Sequence, residues 1–157
     1  MQEWAFLYWE ECVKHKLYSD AAEEITHIQS LDIQIVLLSG TLQLLAQPLM
    51  DYFGIKEIIC AEPEIKHNCF TGRLLIPHPY GKRKIAFAQQ WLDKGGFGWQ
   101  HVYAIADHFE DRFLLQHART PIAMHASSRL RTFARQQNWI VCDKWHEFRK
   151  IIESDKD

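Results

Sequence analysis

Short runs of aliphatic and β-branched residues alternate along this chain with segments whose apolar residues recur at helical spacing. Residues 33–38, Ile-Gln-Ile-Val-Leu-Leu, form one such run, and apolar side chains at positions 42, 45, 49, 52 and 53 follow it directly. A short apolar run bounded by turn residues is typical of a buried strand of a parallel sheet. The alternation therefore predicts an α/β fold, and 157 residues with 47% hydrophobic content fit one globular domain.

The other elements are predicted from the same patterns and from capping residues. We expect helices from Ser19-Asp20 to about Ser30, up to Gly54, over 82–94 and after the cap Ser127. We expect strands over 55–60, 101–106, 120–125 and 139–142, a hairpin or loop excursion over 64–75 with Asn68 at its turn, and a charged, frayed tail. The opening segment, Trp-Ala-Phe-Leu-Tyr-Trp at 4–9, is aromatic on every side. It is either a helix that packs on the core of this chain, which we favour slightly, or a helix severed from missing upstream sequence.

Charge and cysteine content exclude several classes of protein. A formal net charge of -2 gives no electrostatic reason to expect binding to nucleic acid or to an anionic membrane. The four cysteines never form a CxxC pair, which argues against a zinc knuckle or a redox dithiol. We find no apolar stretch near the ~20 residues of a membrane span and no secretion signal. We therefore expect a protein of the reducing cytoplasm.

Three groups of polar residues follow predicted strands or open predicted helices. Ser39-Gly40-Thr41 offers a hydroxyl and backbone N–H groups at a strand-to-helix turn, which suits an anion such as phosphate. Lys84 can bring a positive charge to that anion, and Asp107 and Asp111 can hold a divalent metal through hard oxygen ligands. Each residue alone has an ordinary explanation: a helix cap for Ser39, a solvated face for Lys84, and a first helical turn for the aspartates. The ordered set is what points to phosphoryl transfer.

Several segments in this order resemble motifs of haloacid-dehalogenase-type (HAD) phosphatases close to phosphoserine phosphatase, over residues 19–143. The similar segments are Leu-Leu-Ser-Gly-Thr at 37–41 with Pro48 and the Phe-Gly-Ile exit at 53–55, Thr-Gly-Arg-Leu at 71–74, Tyr-Gly-Lys-Arg-Lys at 80–84, the aspartate box at 102–111, and the closing strand, helix and tryptophan-containing strand at 120–125, 129–131 and 138–143. The resemblance implies a HAD-like Rossmannoid three-layer sandwich with a mostly parallel sheet.

The resemblance also implies a mechanism. In this family an aspartate attacks phosphorus, a phospho-aspartyl intermediate forms, and a second aspartate serves as acid and then base. Carried over by motif, Ser39 and Gly40 would bind the phosphoryl group, and Lys84 would stabilise its charge. Asp107 would ligate Mg²⁺, and Asp111 would support metal-bound water and the lysine. The implied substrate is a small phosphorylated metabolite.

The family's Asp-x-Asp-x-Thr motif, which supplies the nucleophile and the acid/base, is absent from this chain. The upstream aspartates, Asp20 and Asp32, are misplaced for that role, and Asp155-Lys156-Asp157 lies in the polar tail. Because the motif ends the family's first strand, in the middle of the sheet, we expect a fold without that strand and without most of the cap. The expected organisation is a cap-helix remnant at 1–17, an incomplete core at 18–145 and a charged tail at 146–157.

The aspartate box also departs from the family pattern. Ala106 replaces glycine, His108 replaces serine, and His125 stands where asparagine is usual. His108 could alter the metal preference or pair with Asp107, and an ordinary surface histidine is an equal alternative.

Two hypotheses of function follow from the missing motif. The first is a truncated or split HAD phosphatase that is inactive as this chain alone, and that associates with a missing N-terminal portion or forms a homo-oligomer. The alternative is a non-catalytic phosphate-binding and metal-binding or regulatory module. A receiver-like domain is disfavoured because its acidic cluster precedes its lysine, and a histidine metal site is disfavoured because no HExxH spacing occurs.

Overall fold

A computed structural model describes residues 2–154, and its backbone divides into two compact units, Met1–Pro79 and Tyr80–Asp157. The elements of the first unit are α1 (Gln2–Tyr8), a π-helical turn (Trp9–Val13), a 3-10 turn (Lys14–Lys16), α2 (Ser19–Ser30), β1 (Val36–Leu42), α3 (Gln43–Phe53), β2 (Glu57–Lys66) and β3 (Cys69–Ile76). Their strands form one sheet in the order β1-β2-β3. β1 is parallel to β2, and β3 is antiparallel to β2.

The hairpin of the first unit confirms the prediction for this segment. His67 and Asn68 connect β2 and β3, and both have positive φ angles, 49° and 62°. Two left-handed residues in a two-residue connection match the right-handed twist of the paired strands. Both arms of the hairpin are longer than predicted. The first arm is longer because the strand predicted over 55–60 continues into it, so that β2 runs without a break from Glu57 to Lys66.

Helix α3 packs its buried residues, Ala46 and Met50, one turn apart on the same face. It ends at Gly54, whose φ of 63° is left-handed, and the N–H of Ile55 donates to the carbonyl of Met50 at 3.0 Å. Glycine adopts this conformation without a Cβ clash, so the predicted cap is confirmed.

The aromatic opening segment packs on its own unit. Trp9 is buried, and its ring centroid lies 5.4 Å from that of Tyr52 at the end of α3. This confirms the favoured prediction that the segment packs on the core of the chain. Trp4 and Phe6 nevertheless remain exposed, at 75% and 56%.

The second unit contains α4 (Arg83–Gly95), a 3-10 turn (Trp99–His101), β4 (Tyr103–Ala106), a 3-10 turn (Phe109–Asp111), α5 (Arg112–Leu115), β5 (Thr120–Met124), α6 (Ser128–Gln136), β6 (Ile140–Cys142) and α7 (Trp145–Ser154). β4, β5 and β6 form a parallel sheet in that order. Leu115, Ile122 and Leu130 are fully buried in this unit. The predicted cap of α6 is confirmed, since the Ser127 side chain accepts a hydrogen bond from the N–H of Leu130.

The C-terminal segment differs from its prediction. Instead of fraying, residues 145–154 form α7, and Phe148 and Ile152, one turn apart, are 3% and 1% exposed. The prediction of a frayed tail was therefore wrong over this range, because these two side chains give the segment an apolar face that packs on the core. Residues 155–157, with the tail aspartates, lie outside the described residues.

The predicted α/β class with mostly parallel strand pairing is confirmed. β1 and β4 are edge strands of their own sheets, and the missing central strand stays a prediction. None of the helices formed by residues 2–154 has the length and apolarity to cross a bilayer.

Candidate functional site

Lys84 and Asp111 form the tightest polar contact among the predicted site residues. Lys84 lies in the first turn of α4, and its ammonium nitrogen is 2.6 Å from the Oδ1 atom of Asp111. The two side chains are only 11% and 15% exposed. The sequence alone favoured a solvated side chain for Lys84. In the structure Lys84 is instead nearly buried against a carboxylate, because a charged group removed from water needs a partner of opposite charge.

The turn before α4 sets the position of Lys84. Gly81 has a φ of 54°, and its carbonyl accepts a hydrogen bond from the N–H of Lys84 at 3.1 Å. A Cβ at Gly81 would lie 3.6 Å from a carboxylate oxygen of Glu110. The left-handed backbone is the reason that glycine suits this position.

Asp107 immediately follows β4 and is exposed. Its carbonyl accepts a hydrogen bond from the N–H of Ser127 at 2.8 Å, which joins the end of β4 to the start of α6. This places Asp107 at the carboxyl edge of a parallel sheet, where open α/β sheets bind ligands. Its side chain has no hydrogen-bond or ion-pair partner within residues 2–154.

The carboxylates and histidines of the aspartate box do not form a metal cluster by themselves. Within the described part of the chain, no three His, Cys, Asp or Glu side chains are grouped closely enough to hold an ion. The carboxylate of Asp111 is paired with Lys84. Of the two aspartates predicted to hold a metal ion, Asp107 is therefore the one whose carboxylate has no ion-pair partner within residues 2–154.

The two substituted histidines have local structural roles. The Nδ1 atom of His108 accepts a hydrogen bond from the N–H of Glu110 at 3.3 Å and thereby caps the 3-10 turn after β4. His125 follows β5 with a φ of 47°, and its N–H donates to the carbonyl of Cys142 at 3.0 Å. Besides a role at the metal or with Asp107 and an ordinary surface position, capping is therefore a third role for His108.

Ser39 and Gly40, in the first unit, lie inside a strand rather than at a helix start. The pairs Leu38–Ile59 and Leu42–Ala61 bracket them, so two extra residues of β1 bulge from the ladder. The prediction that Ser39 stands at the N-terminus of α3 was wrong, because Leu42 occupies the N-cap and makes no side-chain cap. The Oγ atom of Ser39 instead accepts a hydrogen bond from the N–H of Thr41 at 3.2 Å.

The bulge has a partner that the sequence did not reveal. The Nδ1 atom of His78 lies 2.6 Å from the carbonyl oxygen of Gly40. A carbonyl oxygen only accepts, so Nδ1 carries the proton and donates it. No periodicity or motif relates these two residues, so only the fold identifies the contact.

A second polar network joins α6, β6 and α7. Arg131 donates to both carboxylate oxygens of Asp143, with Nη1 2.8 Å from Oδ2. The Oε2 atom of Glu147 accepts from the N–H groups of Asp143 and Lys144, at 2.9 and 3.3 Å. The hydrogen bonds from Arg131 hold the pKa of Asp143 below its usual range, and those from the backbone lower the pKa of Glu147. Both carboxylates therefore stabilise the fold when ionised.

Lys84 and Asp111 are thus in contact, and Asp107 lies at the end of the neighbouring β4, all in the second unit. Ser39 and Gly40 lie in the first unit. The contacts are structural findings, while the phosphate-binding, catalytic and metal-binding roles of these five residues stay predictions.

Comparison with known proteins identifies similar chains. The family model described as haloacid dehalogenase-like hydrolase matches residues 2–116. The chain is 26% identical to phosphoserine phosphatase SerB1 of Mycobacterium tuberculosis over 137 residues, which cover 86% of this chain and 44% of that protein. The chain therefore spans less than half the length of this curated relative.

Two solved structures are similar in fold. A protein of unknown function from Bordetella pertussis Tohama I has a TM-score of 0.80 at 23% identity, covering 90% of this chain and 65% of that chain. A phosphoserine phosphohydrolase-like protein from Francisella tularensis has a TM-score of 0.69 at 18% identity, covering 96% of this chain and 70% of that chain. At these identities the two structures show the fold alone.

Proposed function

The chain belongs to the haloacid dehalogenase-like hydrolase family, and from this premise we propose that it is of the phosphoserine-phosphatase-like branch and carries part of the active site of a magnesium-dependent phosphomonoesterase. The observation that carries the proposal is the nearly buried pair of Lys84 and Asp111, 2.6 Å apart. A lysine held against one carboxylate can supply a preorganised positive charge to a phosphoryl group, and an exposed aspartate that ends a parallel strand can supply a hard oxygen ligand for a metal ion.

Lys84 would stabilise the negative charge of the phosphoryl group. An ammonium group has three donors, and its contact with Asp111 uses one of them. The other donors remain for phosphate oxygens. Asp111 would act as a positioning residue, because its carboxylate holds the flexible lysine side chain in one place.

Ser39, in the first unit, would donate a hydrogen bond to a phosphoryl group. Its Oγ atom accepts the N–H of Thr41, so the hydroxyl proton remains for a phosphate oxygen. Gly40 has no side chain that would obstruct the approach of this ligand.

The residues present fit a loosely held Mg²⁺ ion. Magnesium keeps several waters and binds through one or two carboxylates together with substrate phosphate oxygens. Asp107, exposed and without a side-chain partner among residues 2–154, would be the ligand from this chain. The bound ion would neutralise charge on the phosphoryl oxygens.

The proposed enzyme is a truncated or split form that does not turn over as this chain alone. The reason is the absent Asp-x-Asp-x-Thr motif, since without its nucleophile the lysine and the aspartates can bind phosphate but not cleave an ester. β1 and β4 are each an edge strand of their own sheet, and each could pair with a strand from a missing N-terminal portion or a second copy.

The same missing motif favours one alternative, a non-catalytic module that binds phosphate and magnesium. In both cases we propose a small phosphorylated metabolite as the ligand. A cytoplasmic location is proposed because all four cysteines are free thiols.

Two measurements on the protein from its natural source test the proposal. Its intact mass is compared with the 18.6 kDa of this chain, and its magnesium-dependent release of p-nitrophenol from p-nitrophenyl phosphate is assayed beside the recombinant chain. We expect a heavier or associated native species with activity, and an inactive recombinant chain. A native 18.6 kDa monomer without activity that binds phosphate would support the alternative, and turnover by the recombinant chain alone would overturn the proposed inactivity.

A further inference from the structure

Three cationic side chains in the second unit alternate with two phenyl rings. The guanidinium carbon of Arg112 lies 4.1 Å from the ring centroid of Phe109 and 3.9 Å from that of Phe113. Arg129 lies 3.9 Å from the Phe109 centroid, and the Lys82 ammonium lies 5.2 Å from the Phe113 centroid. We call these five residues the cation–aromatic stack.

The cation–aromatic stack concentrates positive charge. Because Arg112 and Arg129 share one ring, their guanidinium carbons can be no more than 8.0 Å apart, the sum of their two distances to the Phe109 centroid. Glu110, 3.4 Å from Arg112, is the carboxylate paired with the stack within residues 2–154. The three cations of the stack thus have one paired carboxylate between them, and an anion bound among them would offset their mutual repulsion.

Arg129 holds hydrogen-bond donors ready for such an anion. Its guanidinium carbon lies over the Phe109 ring, and this contact holds the group in place while its N–H donors stay available. No acceptor for these donors occurs in the described part of the chain. Arg112 donates one N–H to the carbonyl of Phe109, at 3.0 Å, and keeps further donors. A planar guanidinium that is oriented in advance suits the bidentate binding of phosphate.

The position of the stack is defined by the end of β4. Phe109 is two residues beyond Asp107, Arg129 is two residues beyond Ser127, and a 2.8 Å hydrogen bond links the backbones of Asp107 and Ser127. Lys84, by contrast, is paired with Asp111 and does not belong to the stack.

We propose that the cation–aromatic stack is a phosphate-binding subsite in which Arg129, Arg112 and Lys82 contact a phosphate dianion without a metal ion. This inference goes beyond the proposed hydrolysis and does not depend on it, because it assigns no role to Lys84, Asp107 or Asp111.

The test is a titration of the full chain with inorganic phosphate in EDTA, followed by NMR on backbone amides and arginine Nε–H groups. We expect the Nε–H signal of Arg129 to shift and Arg129→Gln to weaken the affinity at least tenfold. Lys82→Gln should weaken the phosphate affinity severalfold. Arg129→Lys keeps the charge but loses the planar N–H donors of the guanidinium group, so its effect should be intermediate.

A matched control makes the result specific. Arg135→Gln removes the same charge from an exposed position of α6 outside the stack, and it should change the affinity less than twofold. The proposed function is tested separately, by the magnesium-dependent release of p-nitrophenol described above, so that failure of the subsite and failure of the proposed function are distinguishable. Unchanged affinity in both Arg129→Gln and Lys82→Gln, or an equal loss in Arg135→Gln, would overturn the proposal.

A parallel titration tests whether the ligand is a soluble phosphate or the phosphate headgroup of a membrane lipid. Vesicles that contain phosphatidic acid present the same group on a membrane, and three cations give only a weak attraction to such a surface. We expect no co-sedimentation with these vesicles. Vesicle binding that is lost in Arg129→Gln would overturn the assignment to a soluble phosphate.

Discussion

The ammonium group of Lys84 and the carboxylate of Asp111 meet at 2.6 Å in a place that leaves only 11% and 15% of their side chains exposed. A pair this deeply buried is stabilising only while both partners are present, because a single charge left without its partner is costly. The pair therefore couples the proposed site to the stability of the second unit.

Replacement of one partner should destabilise the protein more than replacement of both. We expect Lys84→Met to lower the free energy of unfolding by about 3 kcal/mol, since it leaves the Asp111 carboxylate buried without a cation. The double variant Lys84→Met/Asp111→Leu should recover at least about 1 kcal/mol of this loss. Urea denaturation of the wild type, Lys84→Met, Asp111→Leu and the double variant measures the coupling. Strictly additive losses would show that the contact contributes nothing to stability.

Asp107 should affect ligand binding without affecting the fold. Because its side chain is exposed, Asp107→Asn should change the free energy of unfolding by less than about 0.5 kcal/mol. If Asp107 binds magnesium as proposed, the same variant weakens Mg²⁺ binding at least fivefold, measured by an NMR titration in the presence of phosphate. Asp93→Asn, at an exposed position of α4, is the matched control and should bind Mg²⁺ as the wild type does.

The Arg131–Asp143 pair predicts how stability depends on pH. The pKa of Asp143 is lowered in the folded state, chiefly by hydrogen bonds from Arg131. The unfolded state therefore binds the proton more readily, and the contribution of Asp143 is present above its ordinary pKa of 3.8 and is lost as the pH falls through the folded value. The lowered pKa of Glu147 acts in the same direction.

The corresponding measurement is the melting temperature of the wild type and of Asp143→Asn between pH 7 and pH 3. We expect the variant to melt a few degrees lower at pH 7, and the difference to shrink below pH 4. A difference that stays constant over the whole range would mean that the ionised carboxylate is not the source of the effect.

The cysteines should divide into two classes toward alkylation. Cys60 and Cys142 are buried, and burial raises the pKa of both thiols, whereas Cys12 and Cys69 are exposed. Because the thiolate is the reactive form, iodoacetamide at neutral pH should modify only Cys12 and Cys69 in the folded chain. Mass spectrometry should show two adducts on the folded protein and four after denaturation, and rapid modification of Cys60 or Cys142 would contradict their burial.

Local sequence patterns predicted those structural features that depend on interactions between residues close in sequence. The hairpin turn at Asn68, the left-handed cap at Gly54 and the cap by Ser127 depend on residues that are close in sequence, so they could be predicted. The C-terminal helix α7 could not, because its charged residues resemble a solvated tail until Phe148 and Ile152 find a core to pack on.

The sequence by itself determined the α/β class, the order of most elements and the identity of the residues that match a phosphatase, because hydrophobic periodicity and motif spacing are properties of the chain. Only the tertiary structure decided that Lys84 is buried against Asp111, that Ser39 and Gly40 lie in a strand bulge beside His78, and that Lys82 and Arg129 contact the rings of Phe113 and Phe109. These relationships join residues that are distant in sequence, and their energies depend on burial and on the partner's position, neither of which exists before the chain has folded.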